Sequence, residues 1–183
     1  MLTTHNIDPK GDVIFVLPTG EDVVKYRVSS QTLVPASPFF AAMFSGRFLE
    51  GQDLSADNPK EISLEDDDPN DLYIMLYLIH HPDQKITGPK SVDDIHEFAL
   101  LADKYDCAGA VGDATADWFH NSSVADLSDV WVLTSAAHML DLADIYRHYT
   151  SVLVWRSSEP FVADTDDPSM STYVLRKLAL PEF

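Results

Sequence analysis

The chain has 183 residues, 45% of them apolar, with 30 acidic side chains against 12 basic ones and a formal net charge of −18. That apolar share supports a packed core, and the length suits one domain or one domain with a helical extension. An acidic excess of this size repels phosphates and counts against nucleic-acid binding by this chain.

The single cysteine, Cys107, has no partner within the chain, so no internal disulfide framework exists. This fits a reducing compartment, and the expected location is cytoplasm or nucleus. Met1 to Asp12 is polar and lacks the apolar centre of a signal peptide. No apolar run approaches bilayer-spanning length, and the expectation is a soluble protein.

Val13-Ile14-Phe15-Val16-Leu17 is a short run rich in β-branched residues, ended by the turn signal Pro18-Thr19-Gly20-Glu21. Val23 to Val28 follows with partial alternation, and the two form a hairpin, the first strand buried on both faces and the second half exposed. Ser29 and Ser30 are N-cap candidates for a short helix through Leu33 and Val34, stopped by Pro35. Ser37 caps a second helix with Pro38 in its first turn. There Phe40, Met43 and Phe44 stand at i, i+3 and i+4 and share one core face, worth about 2–3 kcal/mol each on burial. Gly46 ends that helix.

Phe48 and Leu49 lie just beyond, between Arg47 and Glu50, and no local pattern buries them. They either fold back onto the core or remain outside as an apolar contact with an adjacent charge.

Lys60 to Leu64 alternates as a third strand. The preceding-helix run Glu65-Asp66-Asp67-Asp68 reads as a solvated loop, since the glycine turn and ligand spacing of a calcium loop are missing. Pro69-Asn70-Asp71 opens a helix that is apolar nearly all round through Ile79, hence central, and it ends by Pro82. Ser91, with Asp94 three residues on, caps the next helix, whose inner face is Ile95, Phe98, Ala99, Leu101, Ala102 and Tyr105. Further helices are expected over 108–119, 126–139 and 141–156, a loop over 163–171 and a last short helix over 172–180. The layout is a few strands followed by helices, an α+β fold.

The order of these elements resembles a BTB/POZ domain. The residues that carry the resemblance are Asp12, Tyr26-Arg27-Val28 with Leu33, Ser37-Pro38-Phe39-Phe40 with Met43-Phe44, Ile62-Ser63-Leu64 with Asp68-Pro69, and Leu101-Ala102-Asp103-Lys104-Tyr105. The wording around Asp103 to Cys107 and Ile79-His80-His81 is most similar to such proteins of filamentous fungi. The resemblance implies a small three-stranded N-terminal sheet with a helical bundle and a C-terminal helical extension. It divides the chain into a tail (1–11), a BTB/POZ domain (12–119) and the extension (120–183).

The resemblance also implies a protein–protein interaction module, acting as a scaffold or assembly domain, rather than an enzyme. Some family members dock on a cullin through an apolar-x-Glu motif just after the Met-Phe helix, and Phe48-Leu49-Glu50 stands at that place. The alternative role is therefore a substrate adaptor of a cullin-RING ubiquitin ligase, with Phe48, Leu49 and Glu50 as protein-binding residues. The helices after Ser123 are placed like the pair that extends such a contact. Ser29-Ser30 replaces the family's usual His and basic residue, so corepressor binding does not carry over. Only eleven residues precede Asp12, too few for the helix that dimeric members exchange, so a monomer or a dimer made another way is expected.

No catalytic residue, cofactor or metal ligand set is expected. The seven histidines are dispersed except for His80-His81, which read as surface or core-edge residues, and a lone cysteine cannot supply a zinc site. Cys107 reads as a small buried residue. Gly-rich phosphate loops and Gly-x-Ser-x-Gly elbows are missing.

Overall fold

The computed structural model describes residues 2–20, 22–89 and 91–156. The loop expected over 163–171 and the helix expected over 172–180 lie outside the described residues.

Strands β1 (Leu2–Asn6), β2 (Val13–Thr19), β3 (Asp22–Val28) and β4 (Lys60–Ser63) form one mixed sheet in the order β1-β3-β2-β4. The hairpin β2–β3 is antiparallel, in register from Val13 opposite Val28 to Thr19 opposite Asp22, and Gly20 in its turn has φ +64°. That left-handed backbone suits glycine. β4 and β1 add in parallel on the two sides. β4 pairs only as far as Val16, so Pro18 lies past the end of that ladder and interrupts no bond on that side.

The fourth strand, β1, falls in the segment read as a tail. Thr3 to Asn6 are exposed edge-strand side chains, so no apolar alternation marks them; backbone pairing to β3 and burial of Ile7 hold the segment. The reading of β2 as buried on both faces also needs correction. Val13, Phe15 and Leu17 are fully buried, while Ile14 and Val16 on the other face are half-buried.

The buried sheet face meets α1 (Ser30–Ala36), α2 (Pro38–Met43), α3 (Pro69–His80), α4 (Val92–Lys104) and α5 (Ala108–Asn121) in one contiguous core. Pro35 does not stop α1, as expected, but lies in its last turn. Ser29 holds the N-cap position without a side-chain bond. Instead the Asp12 carboxylate accepts the Ser30 N–H at 2.8 Å and the Ser30 hydroxyl at 2.6 Å, capping α1 from the start of β2. In α2 the Ser37 hydroxyl accepts the Phe40 N–H at 3.0 Å. Phe40 is fully buried, whereas Met43 and Phe44 pack only partly against the core.

α3 is central, with Leu72, Met75, Leu76, Leu78 and Ile79 buried. Ser91 caps α4 through the Asp94 N–H, and the six residues expected on its inner face are all buried. α6 (Leu127–Met139) and α7 (Ala143–Arg156) continue the bundle without a break. Leu133, Ala136 and Ala137 of α6 join the same core, and the Tyr149 hydroxyl of α7 donates to the Phe119 carbonyl at 3.0 Å. No helix among the described residues is long and apolar enough to cross a membrane.

Candidate protein-binding site

α2 ends at Met43 with Phe44 as its C-cap, so Gly46, expected to end the helix, lies two residues further on at φ +77°, and Gly51 returns against that same helix end. A Cβ on Gly51 would stand 2.8 Å from the Gly46 nitrogen and the Met43 carbonyl oxygen. The loop therefore closes on itself, and Leu49–Gly51 form a single 3-10 turn with Phe48 as N-cap. The Gly51 and Gln52 N–H groups donate to the carbonyls of Phe48 and Leu49, each at 3.2 Å.

Phe48 is 54% exposed and Leu49 74% exposed, while Glu50 beside them is half-buried. Of the two readings open from sequence, the apolar pair lies outside. Two apolar side chains held in water next to a carboxylate are the ingredients of an anchor with a polar rim.

Other large apolar side chains are exposed at Val34, Phe39, Val124, Val154 and Trp155. Sequence reasoning did not single out the last two. Their signal was available: in the helix expected over 141–156 they fall off the face that Leu142, Ile145, Tyr146, Tyr149, Val152 and Leu153 mark in the sequence.

The acidic run ahead of α3 is not uniformly solvated. Asp68 caps α3 by accepting the Asn70 and Asp71 N–H groups. Asp67 is only 3% exposed at its side chain and accepts the Lys104 ammonium at 2.6 Å and the Tyr105 hydroxyl at 2.5 Å. Burial and the bond to Asp67 push the Tyr105 hydroxyl well above its usual range. Asp71, with Asp68, Asp94 and Glu97 around it, is pushed up to about 6, first by burial and then by those charges. Among the described residues no three His, Cys, Asp or Glu side chains are grouped so as to hold a metal ion.

Asp12 is satisfied by Ser30, a neutral partner. His80 sits at the core edge. Its Nε2 accepts the Ser29 N–H at 3.0 Å, which leaves the proton on Nδ1, donated to the Leu76 carbonyl at 2.8 Å. Burial holds its pKa below the usual histidine value. The Cys107 thiol is buried at the start of α5 and pushed up to about 12, chiefly by burial, so it is a poor nucleophile at neutral pH.

No curated protein matches the chain significantly. The BTB/POZ domain family model matches residues 11–122, more than half of the 183 residues. The sheet with its following helices agrees with that family's α+β fold. On this match the chain belongs to the BTB/POZ domain family, whose domain is a non-catalytic protein–protein interaction module.

Proposed function

We propose that this chain works as a scaffold or assembly module whose docking surface is the loop Phe48-Leu49-Glu50, and that it is not an enzyme. The observation that carries the reading is the outward pose of Phe48 and Leu49 on a closed loop beside Glu50. An exposed aromatic on a rigid turn desolvates on binding with little ordering cost, and the carboxylate adds a directional contact at the rim.

The second reading is that the partner is a cullin and the chain a ubiquitin-ligase adaptor. It is favoured by the apolar-x-Glu order of this loop at the place where adaptor members of the family carry it. The helix pair α6–α7 adjoins the domain as such adaptors require. The wording of Asp103 to Cys107 supports a filamentous-fungal source, and the reduced lone cysteine supports cytoplasm or nucleus. With β1 pairing in parallel to β3 where dimeric members carry an exchanged helix, a monomer is the expected state in light scattering.

The test is a calorimetric titration with the N-terminal domain of a BTB-binding cullin. Wild type is compared with a Phe48→Asp, Glu50→Ala double variant. Micromolar or tighter binding that the variant loses establishes the adaptor reading. Absence of binding by folded wild type removes the cullin and leaves the scaffold reading, to be tested by whether Phe48→Asp abolishes capture of other partners.

A further inference from the structure

We propose that Lys60 is the positioning residue of the docking loop: its ammonium clamps the carbonyls of Leu49 and Gln52 and so fixes the outward pose of Phe48 and Leu49. This rests on the docking reading above and names what holds that site in its working shape.

A three-residue 3-10 turn cannot hold itself. Its two backbone bonds are long, and the last carbonyls of any helical turn lack internal partners. Lys60 meets that need from a distant part of the chain. Its Nζ donates to the Leu49 carbonyl and, at 3.0 Å, to the Gln52 carbonyl. Bonds from an ammonium are stronger than those between neutral groups.

The clamp has a firm base. Lys60 opens β4, stands opposite Val13, and its own N–H donates to the Asp12 carbonyl at 2.9 Å. Strand alternation puts its side chain on the same face as buried Ile62, the face toward the helices, while Glu61 on the other face pairs with Lys25 at 2.5 Å. The loop is thereby tied at two places: to the end of α2 through Gly51, and to the sheet through Lys60. Both ties are made to backbone, so the side chains of Phe48 and Leu49 remain available to a partner.

The experiment compares Lys60→Met, which keeps the stem and removes the charge, with Lys60→Arg, which restores a cationic donor. Amide exchange at Gly51 and Gln52 is read by NMR, and affinity by the cullin titration described above. The expected result is about tenfold faster exchange at those two amides in Lys60→Met, with Ile62 in β4 unchanged and Lys60→Arg close to wild type. Affinity falls several-fold in Lys60→Met and recovers in Lys60→Arg. Unchanged exchange at Gly51 and Gln52 overturns the clamp. So does faster exchange throughout β4, which would make Lys60 a support of the strand rather than of the loop. Faster loop exchange with unchanged affinity overturns its role in docking. If wild type does not bind the cullin, the adaptor reading fails on its own, and the exchange measurement still decides the clamp.

Discussion

The Ser37 hydroxyl donates to the Tyr105 carbonyl at 2.6 Å across 68 residues of sequence. The same oxygen accepts the Phe40 N–H, so one side chain both starts α2 and fastens it to the end of α4. The rings follow: Phe40 stacks on Tyr105 at 5.2 Å and Phe39 meets it edge-on at 5.1 Å. Ser-Pro-Phe-Phe and Leu-Ala-Asp-Lys-Tyr, two of the separated pieces that carry the family resemblance, are thus direct packing partners.

Ser37→Ala removes a helix cap and also takes the hydroxyl donor from the buried Tyr105 carbonyl, which keeps only the weak Cys107 thiol contact at 3.4 Å. The expected loss is about 2 kcal/mol, the sum of an ordinary cap and one buried hydrogen bond. Urea unfolding measures it as a lower midpoint with unchanged slope. A loss below about 0.5 kcal/mol would place this bond among ordinary surface contacts.

Neighbours in the acidic run differ sharply. Asp67→Ala leaves the Tyr105 hydroxyl without its acceptor and Lys104 without its counter-ion, and is expected to cost about 2 kcal/mol. Asp66→Ala, at an exposed position, is expected to stay within about 0.5 kcal/mol of wild type. Thermal unfolding of the two variants side by side checks the contrast.

That contrast shows where sequence reading stops. Periodicity located α4, α6 and α7 because their buried faces repeat along the chain, α3 stood out as apolar nearly all round, and the turn at Gly20 set the hairpin. The identity of Asp67 as the buried member of Glu65-Asp66-Asp67-Asp68 depends on Lys104 and Tyr105, which are distant in sequence and leave no local mark. β1 was invisible for a different reason: an edge strand with polar, exposed side chains carries its information in backbone bonds alone. The pose of Phe48 and Leu49 was undecidable locally because Gly51 and Lys60 set it, one by close approach to α2 and the other from β4.

His80 makes stability depend on pH. Its Nε2 must be unprotonated to accept the Ser29 N–H, and burial lowers its pKa, with Asp8 opposing and His81 assisting that shift. A lowered folded pKa means that its contribution is fully present above the ordinary histidine range. As pH falls below that range the unfolded chain takes up the proton first, and stability is lost toward the folded pKa. Asp71 acts in the opposite sense. Raised to about 6, it contributes stability below the ordinary aspartate range that is lost as pH rises through about 6. The His80 slope is therefore best read in an Asp71→Asn background. There, stability by urea unfolding is expected to fall as pH drops below about 6.5, less steeply in His80→Phe. His96, also lowered by burial, supplies the slope that remains. At pH 7 the His80→Phe variant is expected to lie about 1–2 kcal/mol below its parent, because the Ser29 N–H loses its acceptor.

Gly112 decides how the C-terminal helices join the domain. The family match ends at residue 122, yet α6 and α7 share the core. Their connecting turn, with Asp141 in the left-handed region at φ +55°, brings the Leu140 carbonyl against α5. A Cβ on Gly112 would stand 2.6 Å from that oxygen, and Leu140 backbone cannot rotate away as a long side chain could. Gly112→Ala should therefore push α5 and the α6–α7 turn apart, even though alanine is the better helix former by about 1 kcal/mol. The expected net loss is 2 kcal/mol or more, roughly, as for an overpacked core site. Because Leu133, Ala136 and Ala137 pack into the domain's core, wild type should unfold in one cooperative step by circular dichroism and by tryptophan fluorescence. Gly112→Ala should move both probes together. A variant in which α6 and α7 exchange their amides early, while α3 and α4 remain protected, would show instead that the extension is a separate folding unit resting against the domain.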